Sequence, residues 1–198
     1  MNATSIGYYW IKSSAMCYNA AYELDRSFRY AIRSEMDPHR RGELERMYED
    51  WTEANPDIYK EKRQPDQESS DVIRYFTSAF EHAPFPVMYE EDTLPRIGFF
   101  RWGLVPRWCR EERKAVDIMN KTINARSETL FEKPSFRASA LDRRCIVFLT
   151  GFFEYHHQGK QRIPFFISQK DGEVMPVAAL WDRANVEDES WETFTIIS

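Results

Sequence analysis

Four short segments of this 198-residue chain hold residue types that can do chemistry. They are Met16-Cys17, FRWGLVPRW from Phe100 to Trp108, NARSETL from Asn124 to Leu130 with KPSFR from Lys133 to Arg137, and RCIVFLTGFFEY from Arg144 to Tyr155. The thiol of Cys17 is a nucleophile. The carboxyl of Glu154 can pass a proton. The planar guanidinium of Arg126, with its five donors, suits a phosphate. The ring of Trp108 offers a face on which a base can stack. Asn124 and Arg126 stand two apart, so an extended backbone turns both to one side. Each of these has a plainer reading. A lone cysteine is usually a small buried hydrophobe, a Trp-Gly pair is usually packing, an arginine usually sits in a surface ion pair, and a glutamate on an alternating strand usually points to water. No one segment decides between the readings.

The elements that would have to position these residues divide the chain in two. Residues Ala20 to Arg33 read as a helix, because Ala21, Leu24, Phe28 and Ile32 recur at helical spacing. Asp37-Pro38 predicts the start of a second helix, a capping residue followed by proline at the first helical position. Its apolar stripe is Leu44, Met47, Tyr48 and Trp51, and Asn55-Pro56 stops it. Both stripes read as core-facing. The polar stretch KEKRQPDQESSD, Lys60 to Asp71, reads as a solvated loop. Beyond it come short β-rich runs: Ile97 to Leu104, Cys145 to Leu149, Phe152 to Tyr155, Pro164 to Ser168, Val177 to Leu180 and Thr193 to Ser198. Gln158-Gly159 and Asp171-Gly172 mark turns. The expectation is a single α+β domain, with a largely antiparallel sheet as core and flanking helices contributed mainly by the N-terminal half. The closing run TFTIIS has the character of a core strand. A domain's end usually lies in a mobile surface segment, so the sequence reads as cut short.

Composition narrows the classes. At 42% hydrophobic and 15% aromatic residues, the chain can build a core. It has no run of about eighteen apolar residues, so no membrane partner is expected. The first fifteen residues lack a basic start, and their apolar run is broken by Gly7 and Lys12, so they do not form a signal peptide. Cys17, Cys109 and Cys145 are odd in number and have no metal-type spacing. That fits a reducing cytoplasm better than a disulfide scaffold, and neither a metal nor an organic cofactor is expected. The net charge of -5 argues against nucleic acid, but its distribution does not. From Arg101 to Lys170 there are fourteen Lys or Arg and seven Asp or Glu, a balance of +7, which leaves -12 for the rest. A basic segment in an acidic chain is compatible with a polyanion on one face.

In their order and spacing, WGLVP, NARSET, KPSFR and GFFEY resemble the SRAP family, the SOS response-associated peptidases, also called abasic-site processing proteins. The resemblance runs from Cys17 to Ser198 and is densest between Phe99 and Leu180. It implies a partner, single-stranded DNA containing abasic sites, a monomeric protein, and a reaction. The family uses a cysteine exposed as the first residue after methionine removal, and Met16-Cys17 matches that start. An α-amino group has a pKa of about 7.7–8.0, against about 10.4 for lysine, so a useful fraction is neutral at physiological pH. The neutral amine attacks the ring-opened aldehyde of an abasic sugar to give a Schiff base. The thiol of the same residue then closes a five-membered thiazolidine. By the same resemblance Asn124 positions the cysteine and the sugar, Arg126 binds a phosphate, Trp108 wedges into the DNA, and Glu154 is the acid–base group. A carboxyl among Phe152, Phe153 and Tyr155 is expected to be partly withdrawn from water, which suits proton transfer.

The sequence departs from the family pattern in several places. Tyr18-Asn19 stands where the family commonly has Gly-Arg, which puts an arginine contact there in doubt. Cys109 replaces a frequent second aromatic after Trp108. Trp102, Cys109 and Cys145 read as structural. The family's histidine lies in a His-x-Arg-Met-Pro-type segment beyond the strand at which this sequence stops. His39, His82, His156 and His157 do not match it. Residues 1–16 form an extension ahead of the domain at 17–198, and as written the nitrogen of Cys17 is an amide. Translation from Met16, self-removal of a leader, and loss of crosslinking all remain open. Two other functions stay beside covalent capture. One is a thiol peptidase acting on its own leader. The other is a non-covalent single-stranded DNA-binding module.

Overall fold

The computed structural model describes residues 19–54, 73–170 and 172–198. Cys17, the 1–16 extension and the polar stretch Lys60 to Asp71 lie outside the described residues. The predicted helix over Ala20 to Arg33 is corrected at its start. Asn19–Glu23 is strand β1, and helix α1 runs Leu24–Ser34. Ala20, Ala21 and Tyr22 are buried, and β1 is laddered on both sides. Tertiary pairing overrides alanine's helical preference there. Helix α2, Pro38–Ala54, begins where Asp37-Pro38 predicts. The Asp37 carboxylate accepts a hydrogen bond from the Arg40 amide at 2.9 Å, which satisfies one orphan donor of the first turn.

The strands follow in two sheets. Strands β2 (Ile73–Ser78), β1, β7 (Gly151–Gln158) and β8 (Gln161–Ile167) form a four-stranded sheet in the order β2-β1-β7-β8. Strands β3 (Pro84–Glu91), β4 (Leu94–Trp102), β6 (Arg144–Leu149), β9 (Met175–Val186), β10 (Glu189–Ile197) and the two-residue β5 (Asn124–Ala125) form the other. Its order is β4-β3-β6-β9-β10-β5, and an additional β4–β10 pairing brings the first strand back to the fifth. The second sheet is therefore a closed ring of five strands with β5 attached. Its pairings are antiparallel except β10 with β4 and β10 with β5, which are parallel. This bears out the predicted α+β class with a largely antiparallel core.

The core fills the ring and the gap to the four-stranded sheet. Phe85, Phe100, Trp102, Val147 and Phe194 meet Ala20, Tyr22 and Phe152 there. Phe194 is fully buried, with ring centroids 5.9 Å from Trp102 and 6.0 Å from Phe85. Helices α1 and α2 cover the outside of the ring. Leu44 packs with Ala31, Phe148 and Val174, while Met47, Tyr48 and Trp51 lie against Leu24 and Phe28. The α2 stripe is thus core-facing, as its spacing predicts. Ion pairs of Glu43 with Arg96 and of Arg40 with Glu90 pin α2 to β4 and β3. The short helices α3 (Glu112–Met119) and α4 (Arg137–Asp142) flank the other side. Among the described residues, no helix is long and apolar enough to cross a membrane.

Phe194→Ala removes a fully buried ring at the centre of this core. It should lower stability by about 3–5 kcal/mol, read from urea unfolding followed by tryptophan fluorescence.

Candidate functional site

The segment that carries Asn124 and Arg126 is held from three directions. Its backbone runs parallel to β10, with Asn124 opposite Ile196 and Ala125 opposite Ile197. The Ser198 amide donates to the Ala125 carbonyl at 2.9 Å, and the Ser127 amide donates to the Ser198 carbonyl at 2.9 Å. One residue earlier, the Ile123 carbonyl accepts from the Trp102 indole at 2.9 Å and from the Thr195 hydroxyl at 3.2 Å. Both of those side chains are buried. Ala125 is buried while Asn124 is half-buried and Arg126 exposed. The backbone at Arg126 is extended, with φ -73° and ψ 127°. Asn124 and Arg126 therefore share one side of an extended segment, as their spacing predicts. A 3-10 turn at Ser127–Thr129 follows at once.

Trp108 projects from the loop after β4. The loop leaves the strand at Gly103, whose φ of +115° is a conformation L side chains rarely adopt. A Cβ there would stand 2.7 Å from the Met119 carbonyl oxygen. The Gly103 amide donates to the Phe194 carbonyl at 2.8 Å, and the Val105 amide to the Thr193 hydroxyl at 2.8 Å. Leu104, Val105 and Cys109 are buried, so the loop is anchored on both sides of Trp108. The Trp108 ring remains 46% exposed, with the Lys114 ammonium 5.4 Å from its centroid. The loop thus holds a half-exposed indole between anchored neighbours.

The same loop is tied to the ring by a buried carboxylate that sequence reasoning missed. Asp182 on β9 is 1% exposed. It accepts from the Arg107 amide at 3.0 Å and the Ser139 hydroxyl at 3.3 Å, and its own other oxygen accepts from the Arg183 amide at 2.9 Å. Arg143, itself nearly buried, brings its Nε within 3.1 Å of the same carboxylate. A single aspartate in an alternating run carries no signal of this kind. The signal lay in Arg143 and Arg107, two arginines next to otherwise apolar strand and loop segments.

Glu154 lies on the other sheet. It sits in β7, half-buried, directly opposite Phe165 of β8. Its neighbour Phe152 is buried and pairs with Ala20 of β1. The structure brings Asn124 and Arg126 together. It keeps Glu154 and Trp108 on separate elements, and among the described residues Glu154, Trp108 and Arg126 share no hydrogen bond, ion pair or ring contact.

The remaining candidates divide into buried and exposed residues. Trp102 and Cys109 are buried in the core, as expected. Cys145 is buried too, and burial pushes its thiol well above the ordinary range, so it is no ready thiolate. The His82 ring lies between the Trp102 carbonyl (Nδ1, 2.6 Å) and Asn120 (Nε2, 3.2 Å). His39 and His156 are exposed. Among the described residues, no three His, Cys, Asp or Glu side chains are grouped to hold a metal ion.

Comparison with known proteins gives this geometry a setting. The sequence model of the SOS response associated peptidase (SRAP) family matches residues 29–198. An abasic site processing protein of Saccharomyces cerevisiae is 37% identical over 125 residues, 62% of this chain and 33% of that protein. One from Bacillus subtilis is 40% identical over 105 residues, 52% of this chain and 45% of that protein. The chain thus spans less than half the length of these curated relatives. A crystal structure of a Bacteroides thetaiotaomicron protein shares the fold with a TM-score of 0.66 at 30% identity, over 91% of this chain and 67% of that one. Cys17 lies ahead of the residues that the family model matches.

Asp182→Ala removes the buried carboxylate that faces Arg143 and leaves this buried cation only its pairing with the exposed Asp142. It should cost about 3–5 kcal/mol in urea unfolding. Trp108→Ala, at an exposed position, should stay within about 0.5 kcal/mol of the parent in the same measurement.

Proposed function

The chain belongs to the SOS response associated peptidase (SRAP) family, and on that premise we propose that it captures abasic sites in single-stranded DNA as a covalent thiazolidine on Cys17. The abasic site processing proteins it resembles are named for that lesion. The observation that supports the reading best is the pairing of β1 with β7. In sequence, Cys17 stands two residues ahead of Asn19, the first residue of β1. Ala20 pairs with Phe152, two residues from Glu154. The strand that follows Cys17 in sequence is thus the neighbour of the strand that carries Glu154.

The proposed reaction has two steps. With Cys17 as first residue, its neutral amine attacks the C1′ aldehyde of the open sugar. Glu154 delivers a proton to the departing hydroxyl, water leaves, and a Schiff base remains. The Cys17 sulfur then adds to the imine carbon, its proton passing to nitrogen, and the five-membered ring closes. Asn124 orients the amine and the sugar, Arg126 holds a flanking phosphate, and Trp108 stacks on an adjacent base. With the Cys109 and Cys145 thiols buried, Cys17 is the thiol left for this chemistry or for self-removal of a leader.

A second reading rests on residues 1–16. While they precede Cys17, its nitrogen is an amide, and the protein binds single strands without capturing them.

Protein beginning at Cys17 and an oligonucleotide with one abasic site should give a band resistant to heat and detergent on a denaturing gel. Cys17→Ala should abolish it, and Glu154→Gln should slow its appearance by about 10²-fold or more. A heat-stable adduct formed by Cys17→Ala would defeat the covalent reading. Salt-reversible binding with no adduct would establish the second one.

A further inference from the structure

The β7–β8 hairpin is unlike the rest of the molecule. Strand β8 is the edge of its sheet, and all of its seven residues except Ile163 are exposed. At about 3.3 Å per residue it extends about 23 Å. The turn at Gly159, with φ +62°, closes it. Edge strands are commonly protected by charge and proline, and β8 carries Arg162 and Pro164. It nevertheless exposes Phe165 (52%) and Phe166 (48%), one ring on each face. Monomeric surfaces rarely show neighbouring large apolar groups without a use.

Two further features say what the exposed rings are suited to. The first is charge. From Tyr155 to Lys170 the sequence holds Lys160, Arg162 and Lys170 and not one Asp or Glu. Lys160 and Arg162 are exposed and form no ion pair among the described residues; the Arg162 guanidinium lies 5.7 Å over the Tyr155 ring. In a chain of net charge -5 this arm is locally cationic. The second feature is continuity. Phe165 stands directly opposite Glu154 in the ladder, and His156, two residues on from Glu154 along the same face, meets the Phe165 ring at 6.2 Å, edge to face. The Glu154 face thus carries Phe165 and His156, while Arg162, beside Tyr155, lies on the other face, so it reaches a strand on the first face around the β8 edge.

Exposed rings beside unpaired cations match a polyanion whose bases have free faces. We propose that the β7–β8 hairpin is a binding arm for single-stranded DNA, on which bases flanking the reacting sugar stack against Phe165 and His156 while Lys160 and Arg162 contact the phosphates. The arm rests on the single-stranded DNA reading above, but it adds a surface that extends well beyond the lesion. Its contribution grows with the length of strand available, since a short oligonucleotide reaches Phe165, opposite Glu154, but covers less of the arm toward Lys160.

The test uses the full chain beginning at Cys17 and two thymidine oligonucleotides, of six and twenty residues. Each is prepared intact for fluorescence anisotropy and with one central abasic site for crosslinking. Phe165→Ala should weaken the intact twenty-residue strand by about tenfold, the loss of one stacked base. The double variant Lys160→Glu/Arg162→Glu should lower the salt dependence of that binding, reducing the slope of log K against log salt by about 1.4 for two lost phosphate contacts. At limiting protein, crosslinking should fall more for the twenty-residue abasic strand than for the six-residue one in both variants. Parent-like affinity and salt slope in both variants overturn the arm, even if every protein still crosslinks. Absent crosslinking together with the stated affinity losses overturns covalent capture and leaves the arm standing. Sedimentation supplies the remaining check: a dimer dissolved by Phe165→Ala, with DNA affinity unchanged, makes the hairpin a contact between copies and overturns the proposal. All three side chains are exposed, so folding is preserved, and matching urea midpoints confirm it.

Discussion

The parallel pairing of β10 with both β4 and β5 is the constraint from which the rest of the structure hangs. Thr193 and Phe194 meet Arg101 and Trp102, and Ile196 and Ile197 meet Asn124 and Ala125. One strand thereby closes the ring and fixes the backbone on which Asn124 and Arg126 stand. The same strand supplies Phe194 to the core and the Thr193 and Thr195 hydroxyls to the loop amide of Val105 and the carbonyl of Ile123. Buried hydroxyls are costly unless satisfied, so these two threonines specify position as well as stability. The candidate site is rigid because the residues beside it are core residues.

The loop from Gly103 to Arg110 shows a complementary strategy. Its backbone donors are consumed by Phe194, Thr193 and Asp182, and its apolar residues face inward. Only Trp108 and the neighbouring arginines are left to solvent. An exposed aromatic on a mobile loop would lose entropy on stacking. One whose flanking residues are already fixed loses less, so more of the stacking energy appears as affinity.

Much of this was legible in the sequence, and the failures have physical reasons. Helix α2 announced itself through Asp37-Pro38 and its stripe, and β6, β7 and β10 through apolar runs bounded by turns. Strand β1 was hidden because its alanines favour helix in isolation and take strand only because β2 and β7 are there to pair with them. Strand β3 was hidden by Pro84 and Pro86, which argue against a strand. They lie in the part of β3 paired to β4 alone, whereas Val87 and Met88 pair with β6 as well. Of the site, the side shared by Asn124 and Arg126 could be read from spacing, while Trp108 was singled out by the family resemblance alone. The Asp182 carboxylate and the placement of Phe165 opposite Glu154 could not, because both depend on partners brought from distant positions by register.

Ring closure by β10 also dictates an order of assembly. The β4–β10 pairing joins residues about ninety apart, and β1 waits for β7 across an interval of about one hundred and thirty. Contacts of such span are paid for in loop entropy before they return any energy, so folding is expected to be slow and to finish late. During synthesis, β4 and β9 emerge before the strand that joins them. Until β10 arrives, each offers an open edge to any other nascent chain. The strand that organises the site is therefore also the one whose delay leaves the protein most prone to aggregate.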